Sequence, residues 1–152
     1  MPVFLTREER ALVSELRVDS RVRPFAEQAS VDVGIVTGAN KFFLAPDNSL
    51  TCLTAEMEGR HYGGGGGLEL VPSEIERLLL PVVHASPAQL AAADERYRKA
   101  EGDLVFLRGQ DAVVLTNVGV TKCDQEMLFK AWSRFRARRQ RVPSAEETPE
   151  AE

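Results

Sequence analysis

Five consecutive glycines, Gly63–Gly67, interrupt the middle of this 152-residue chain. Glycines carry no side chain to pack and lose the most backbone freedom on ordering, so neither a helix nor a strand is expected to run through them. The stretch from Gly59 to Gly67 therefore reads as a loop, mobile unless something docks on it. Prolines cut the rest into short pieces. Pro24 ends any continuation of the first helix, Pro72 opens a short helix that Pro81 closes, and Pro87 opens another. A chain of this length is about one domain, and it buries roughly two thirds of its unfolded surface. Its hydrophobic share of 43% suits a globular core. No apolar run approaches the ~18 residues of a membrane helix. The opening "MPVFLTREER" has no secretory pattern, so a cytoplasmic location is expected.

Within those bounds the pieces can be read in order. "LTREERALVSELRV" is a helix: Thr6 and Glu9 make a capping box, Leu5 can staple the first turn, and Leu12, Val13 and Leu16 share a face. "FAEQASVDVGIVT" from Phe25, "KFFLA" and "SLTCLTAEM" from Ser49 favour strands, with a turn at "PDN". "LELVP" returns to strand-like order. "SPAQLAAADERYRKAEG" is a helix with Ser86 as N-cap, Pro87 in its first turn and Gly102 past its end. "DLVFLRGQDAVVLTNVG" fits a strand or a buried helix equally. "CDQEMLFKAWSRFRARRQR" is a long amphipathic helix whose apolar stripe is Met127, Leu128, Ala131, Trp132 and Phe135. The expected class is α+β: a small mixed or antiparallel sheet with helices in the N-terminal two thirds, then a helical portion ending in the long basic helix. Residues 1–141 form the domain. Residues 142–152, "VPSAEETPEAE" from Val142, form a disordered acidic tail.

Charge is segregated along the chain. Its net value is −4, yet residues 122–141 hold seven cations against two carboxylates, a net +5, while residues 142–152 carry −4. The remainder carries −5. The total argues against an indiscriminate nucleic-acid binder, but the helix end is a cationic object in its own right. Cys52 and Cys123 form no C-x-x-C pair and are expected to be buried apolar thiols. His61 and His84 stand far apart with no ligand spacing, so no zinc site is expected.

Two glycine-bearing segments attract a chemical reading. "GIVTGANK" fails as a phosphate loop. With Lys41 as the lysine of G-x-x-x-x-G-K-[ST], glycines are required where Ile35 and Asn40 stand, and Phe42 follows instead of Ser or Thr. A tight turn between strands explains it as well. The glycine run reads as a surface loop, but Arg60, His61 and Tyr62 precede it, residue types that contact phosphates and stack on bases. The arginine-rich helix end is a solvated face, a nucleic-acid contact or a dock for an acidic partner. Ser, His and acidic residues stand in no catalytic order, so an enzyme complete within these residues is not expected.

Three segments carry a resemblance. "VDVGIVTGANKFF" is similar to the start of the C-terminal target-recognition region of adenine-specific DNA methyltransferases of restriction–modification systems, through Gly34, Ile35, Val36, Thr37, Gly38, Ala39, Asn40, Phe42 and Phe43. "YGGGGGLELVPSEIERLLLP" resembles their later segment, in which a glycine stretch leads to a strand and a short helix. Leu70, Pro72, Glu74, Ile75, Leu78, Leu80 and Pro81 fit it. "LFKAWSRFRARRQR" resembles their arginine-rich last helix. The three matches come in family order and span most of the chain. The family's catalytic Asn-Pro-Pro-Tyr motif and its S-adenosylmethionine-binding glycine loop have no counterpart in these residues.

The resemblance implies sequence-specific binding of double-stranded DNA by a domain that is not itself catalytic. The methyltransferase catalytic domain is expected as a partner in cis or in trans, holding S-adenosylmethionine, with no cofactor, metal or membrane contact here. Bare backbone would then let the main chain approach the duplex, phosphate contacts setting register and base-edge contacts specifying sequence. The candidate contacts are Thr37, Gly38, Asn40 and Lys41 in the first loop, Arg60, His61, Gly63 and Gly64 in the second, and Arg138 and Arg139 on the last helix. Asn40 pairs with an adenine edge or caps its turn, and the second role suits a motif shared by enzymes of differing target. Lys41 and Arg60 are phosphate or guanine candidates. The alternative is a protein-interaction domain that docks a partner through the arginine-rich helix.

Overall fold

The computed structural model describes residues 4–28, 48–62, 67–83, 86–99 and 102–140, apart from the side chains of residues 61, 62, 90 and 103. The later part of the strand expected from Phe25, the strand expected over 41–45, the glycines at 63–66 and the acidic tail lie outside the described residues. Among the described residues, six α-helices and four short strands follow one another: α1 (Arg7–Val18), β1 (Val22–Pro24), α2 (Ser49–Glu58), β2 (Arg60–Tyr62), β3 (Gly67–Glu69), α3 (Pro72–Ile75), β4 (Leu79–Pro81), α4 (Pro87–Lys99), α5 (Asp103–Asn117) and α6 (Lys122–Gln140).

The class is α+β, with helices dominating and the strands forming two antiparallel pairs. β1 pairs with β4, Val22 facing Pro81 and Pro24 facing Leu79. β2 pairs with β3, Arg60 facing Glu69 and Tyr62 facing Gly67. Strand order thus begins inside the stretch read as one loop, at both of its ends.

The capping box at the start of α1 forms as expected. The Thr6 N–H donates to Glu9 Oε2 at 2.9 Å, and the Glu9 N–H donates to Thr6 Oγ1 at 3.2 Å. Val13 and Leu16 on the apolar face are buried, as is Leu5. The segment from Phe25, expected to be a strand, opens instead as a 3-10 turn over Phe25–Glu27. Pro24 fixes its own φ, and the next two amides turn back onto the chain before β4. Phe25 N–H reaches Leu78 O at 2.8 Å, and Ala26 N–H reaches Glu76 O at 3.0 Å.

The larger correction is α2, expected as a strand from Ser49. Asn48 caps it, its Oδ1 accepting the Thr51 N–H at 3.0 Å. Leu50, Leu53 and Thr54 are then buried on one face at helical spacing, with Met57 packed beside them. Threonine is a β-branched residue common in strands, but here two of them serve the helix through their hydroxyls. Thr51 Oγ1 donates to Leu79 O at 2.9 Å, and Thr54 Oγ1 accepts the Leu79 N–H at 3.2 Å. Helix α2 therefore satisfies backbone groups of β4 that a further strand would otherwise pair.

The ambiguous stretch from Asp103 is helix α5. Its turn into α6 uses Gly119 at φ +81°, a conformation glycine adopts without strain. Leu107 and Leu115 of α5, Leu50 and Leu53 of α2, and Leu128, Ala131, Trp132 and Phe135 of α6 share one core with α1 and Val22. The expected stripe of α6 holds, except that Met127 is only half-buried while Phe129 joins the interior. Cys52 is half-buried, whereas Cys123, expected inside, is exposed in the first turn of α6.

Candidate nucleic-acid interface

Three arginines from distant parts of the sequence gather around the C-terminal end of α2. Glu58 closes that helix, and its carboxylate takes two of them: Arg77 Nε at 2.7 Å and Arg17 Nη2 at 3.5 Å. A carboxylate at a helix C-terminus is disfavoured by the dipole, and the paired guanidiniums offset it. Two residues on, Arg60 starts β2 and places its Nε 3.0 Å from Glu74 Oε1. Glu74 is buried, and its other oxygen accepts the Val71 N–H at 3.0 Å, the last amide before α3. That backbone hydrogen bond, with Arg60 and the nearby charge of Arg77, outweighs desolvation and holds the Glu74 carboxyl below its usual range.

The result is a strip, Arg17–Glu58–Arg77 beside Glu74–Arg60, with one more cation than anions. The guanidiniums face water: the side chains of Arg17, Arg77 and Arg60 are 37%, 55% and 68% exposed. The carboxylates are largely covered while the guanidiniums are not, so the strip offers cationic groups at the surface.

Gly59 lies between Glu58 and Arg60 and joins α2 to the hairpin. A Cβ there would stand 2.7 Å from Leu68 Cδ1 and 2.9 Å from the Ala55 carbonyl oxygen. The bare backbone of Gly59 thus faces inward and lets β3 fold against the end of α2.

Of the residues expected to contact DNA, Arg60 stands at the base of the hairpin with its head group in solvent. His61 is the next strand residue. Thr37, Gly38, Asn40, Lys41, Gly63 and Gly64 lie outside the described residues. Gly63 and Gly64 continue the chain from Tyr62, the last residue of β2. Arg138 lies with its guanidinium carbon 3.6 Å from the centre of the Phe4 ring and remains exposed.

Arg139 is placed differently. It bonds Glu56 through Nε at 3.1 Å and Nη2 at 2.9 Å, and only 14% of its side chain and 3% of that of Glu56 remain exposed. The cations of α6 are largely engaged within the fold. Arg134 holds both oxygens of Glu9, Lys130 approaches Glu126 at 3.8 Å, and Arg136 lies over Trp132. Arg77 and Arg17 escaped sequence reading. Their only local signal is a single positive charge each, and what groups them is Glu58, which neither neighbours in the chain.

A separate groove of about 410 Å³ lies between α4 and α5, lined by Glu95, Arg96, Lys99, Val105, Phe106 and Gly109. It shares no residue with the arginine strip.

The family model for the C-terminal domain of the Type II methyltransferase M.Eco57I matches this chain over residues 1–49 and 44–115. The matched span includes Arg17, Arg60 and Arg77 with both acidic partners, and the whole hairpin. Helix α6 lies beyond it. The searches of curated proteins and of solved structures found no match.

Proposed function

Since the chain belongs to the family of Type II methyltransferase C-terminal domains, we propose that it is the target-recognition domain of an adenine-specific DNA methyltransferase in a restriction–modification system. It grips double-stranded DNA and selects the site, while a catalytic domain, in cis or in trans, binds S-adenosylmethionine, extrudes the adenine and methylates its exocyclic amine. This division of labour suits a bacterial cytoplasm.

The arginine strip carries the reading. It lies within the family-matched span, beside the hairpin whose strands bracket Gly63 and Gly64, and it presents guanidiniums of fixed origin to solvent. Arg17 and Arg77, sharing one carboxylate, keep a net positive charge and suit phosphates; the first loop adds Lys41. The rival reading, an acidic protein docked on α6, is less well supported because Arg139 is closed into its pair with Glu56 and α6 lies beyond the family-matched span.

Binding of the full chain to duplex DNA across a salt series tests the proposal. Affinity falls steeply between 50 and 200 mM salt on the order of the counterions released, and Arg77→Ala lowers the log–log slope by about one. Lys41→Ala weakens binding across sequences. Affinity that is flat with salt, or no affinity for duplex, refutes the reading.

A further inference from the structure

We infer that Glu74 is a positioning residue that sets the plane of Arg60 so that this arginine reads a guanine edge in the duplex. The inference rests on the DNA-recognition reading and assigns a specificity role within it.

The geometry points one way. Arg60 is fixed at both ends of its side chain. Its backbone is tied into β2 opposite Glu69, and its Nε is tied to Glu74 Oε1. Glu74 cannot swing freely, because its other oxygen is bound to the Val71 amide and its side chain is 6% exposed. Among the described residues neither terminal nitrogen of Arg60 has a partner, and the side chain is 68% exposed. A guanidinium held through Nε keeps its two outer N–H groups parallel, at the end of a largely exposed side chain.

Two parallel donors match the O6 and N7 acceptors of guanine in the major groove. They also match a phosphate, so charge decides between the two. Arg60 and Glu74 pair one to one, which leaves the unit with no net charge to draw a phosphate. What it retains is a planar fork whose rotamer entropy has already been lost on folding, the condition under which geometry rather than charge discriminates.

The test selects duplexes from a randomised-sequence pool with the full chain, and repeats this with Arg60→Lys and Glu74→Gln. Lysine keeps the charge and loses the fork, while glutamine keeps a carbonyl acceptor and loses the charge. Glu74→Asp, one methylene shorter, replaces Glu74→Gln if that variant does not fold.

The parent is expected to enrich a motif containing a required G·C pair. Both variants are expected to lose preference at that same pair by roughly tenfold or more while keeping the other positions. A merely structural role for Glu74 would weaken every position alike. Uniform loss in both variants marks Arg60 as a phosphate contact and overturns the inference, as does a Glu74 variant that keeps the parent motif. Each of those outcomes leaves the DNA-recognition reading standing. A parent that enriches nothing and binds no duplex overturns that reading and this inference together.

Discussion

Asp111 caps a helix that is not its own. From α5 its carboxylate accepts the Ser49 backbone N–H at 2.7 Å and the Ser49 Oγ–H at 2.5 Å, closing the buried N-terminus of α2. Asp111, Ser49 and Asn48 are all buried, so no water replaces these bonds. Asn48 and Asp111 together satisfy amides that the helix itself leaves open. Asp111→Ala should therefore lower unfolding free energy by about 2–4 kcal/mol, because it strands a buried donor and removes a charge-assisted bond. Asp111→Asn should cost less. Urea unfolding of the three proteins checks the order.

Arg138 and Arg139 are neighbours with different tasks. Arg139 and Glu56 form a pair nearly closed to water, and removing one partner of such a pair costs about 3–5 kcal/mol because the other's buried charge loses this compensation. Arg138 lies over Phe4 at the surface, where a cation–π contact contributes about 0.5–1 kcal/mol. Thermal unfolding should show Arg139→Ala severely destabilised and Arg138→Ala close to the parent. A salt series on duplex binding should show any change of slope in Arg138→Ala alone.

This contrast marks where the sequence ceased to be legible. The basic run of α6 was visible, and so was its apolar stripe, because both are local. The partners that absorb its charge are Glu9 and Glu56, far away in sequence, and no spacing rule couples them. Helix α1 could be read from its ends, since Thr6 and Glu9 are three residues apart. Helix α2 could not. Its Leu50, Leu53 and Met57 do recur at helical spacing, but the hydroxyls of Thr51 and Thr54 that bind the helix to β4 find Leu79 only in three dimensions. At the proposed interface Arg60 was recognisable as a cation beside glycines. Its orientation by Glu74, and the company of Arg17 and Arg77, follow from the way α1, α2 and α3 meet.

Gly59 offers a direct test of the junction between α2 and the hairpin. Its φ of −74° is open to any residue, so the constraint is space alone. A methyl group there meets the Ala55 carbonyl oxygen and Leu68 Cδ1, and only the leucine can give way easily. Gly59→Ala is expected to cost about 1–3 kcal/mol in urea unfolding and to loosen the hairpin. Faster amide exchange at Arg60 and Leu68 than in the core of α6 would register that loosening. Gly119→Ala should also destabilise, for a different reason: its φ of +81° is strained for alanine whatever the space around it.

Acid should unfold this domain through carboxylates that the fold holds ionised. Burial raises the Glu9 carboxyl, but Arg134 and the bonds from Thr6 outweigh it, and the net shift is downward. Glu74 is lowered first by the Val71 amide, and Glu126 by the two-point contact of Arg108. Asp19, held by the Arg21 side chain, is lowered to about 2. All four have folded pKa values below their unfolded ones, so the unfolded state binds more protons as pH falls. Their contribution is complete above the usual carboxylate range, near 4.5 for Glu and 3.8 for Asp, and is lost as pH drops through the folded values. Urea midpoints should thus change little on account of these groups between pH 7 and 5 and fall below about pH 4.5. Glu9→Gln should be less stable at neutral pH and flatter in acid, because its glutamine has no proton to gain. A Glu9→Gln profile parallel to the parent would assign the acid sensitivity to the other carboxylates.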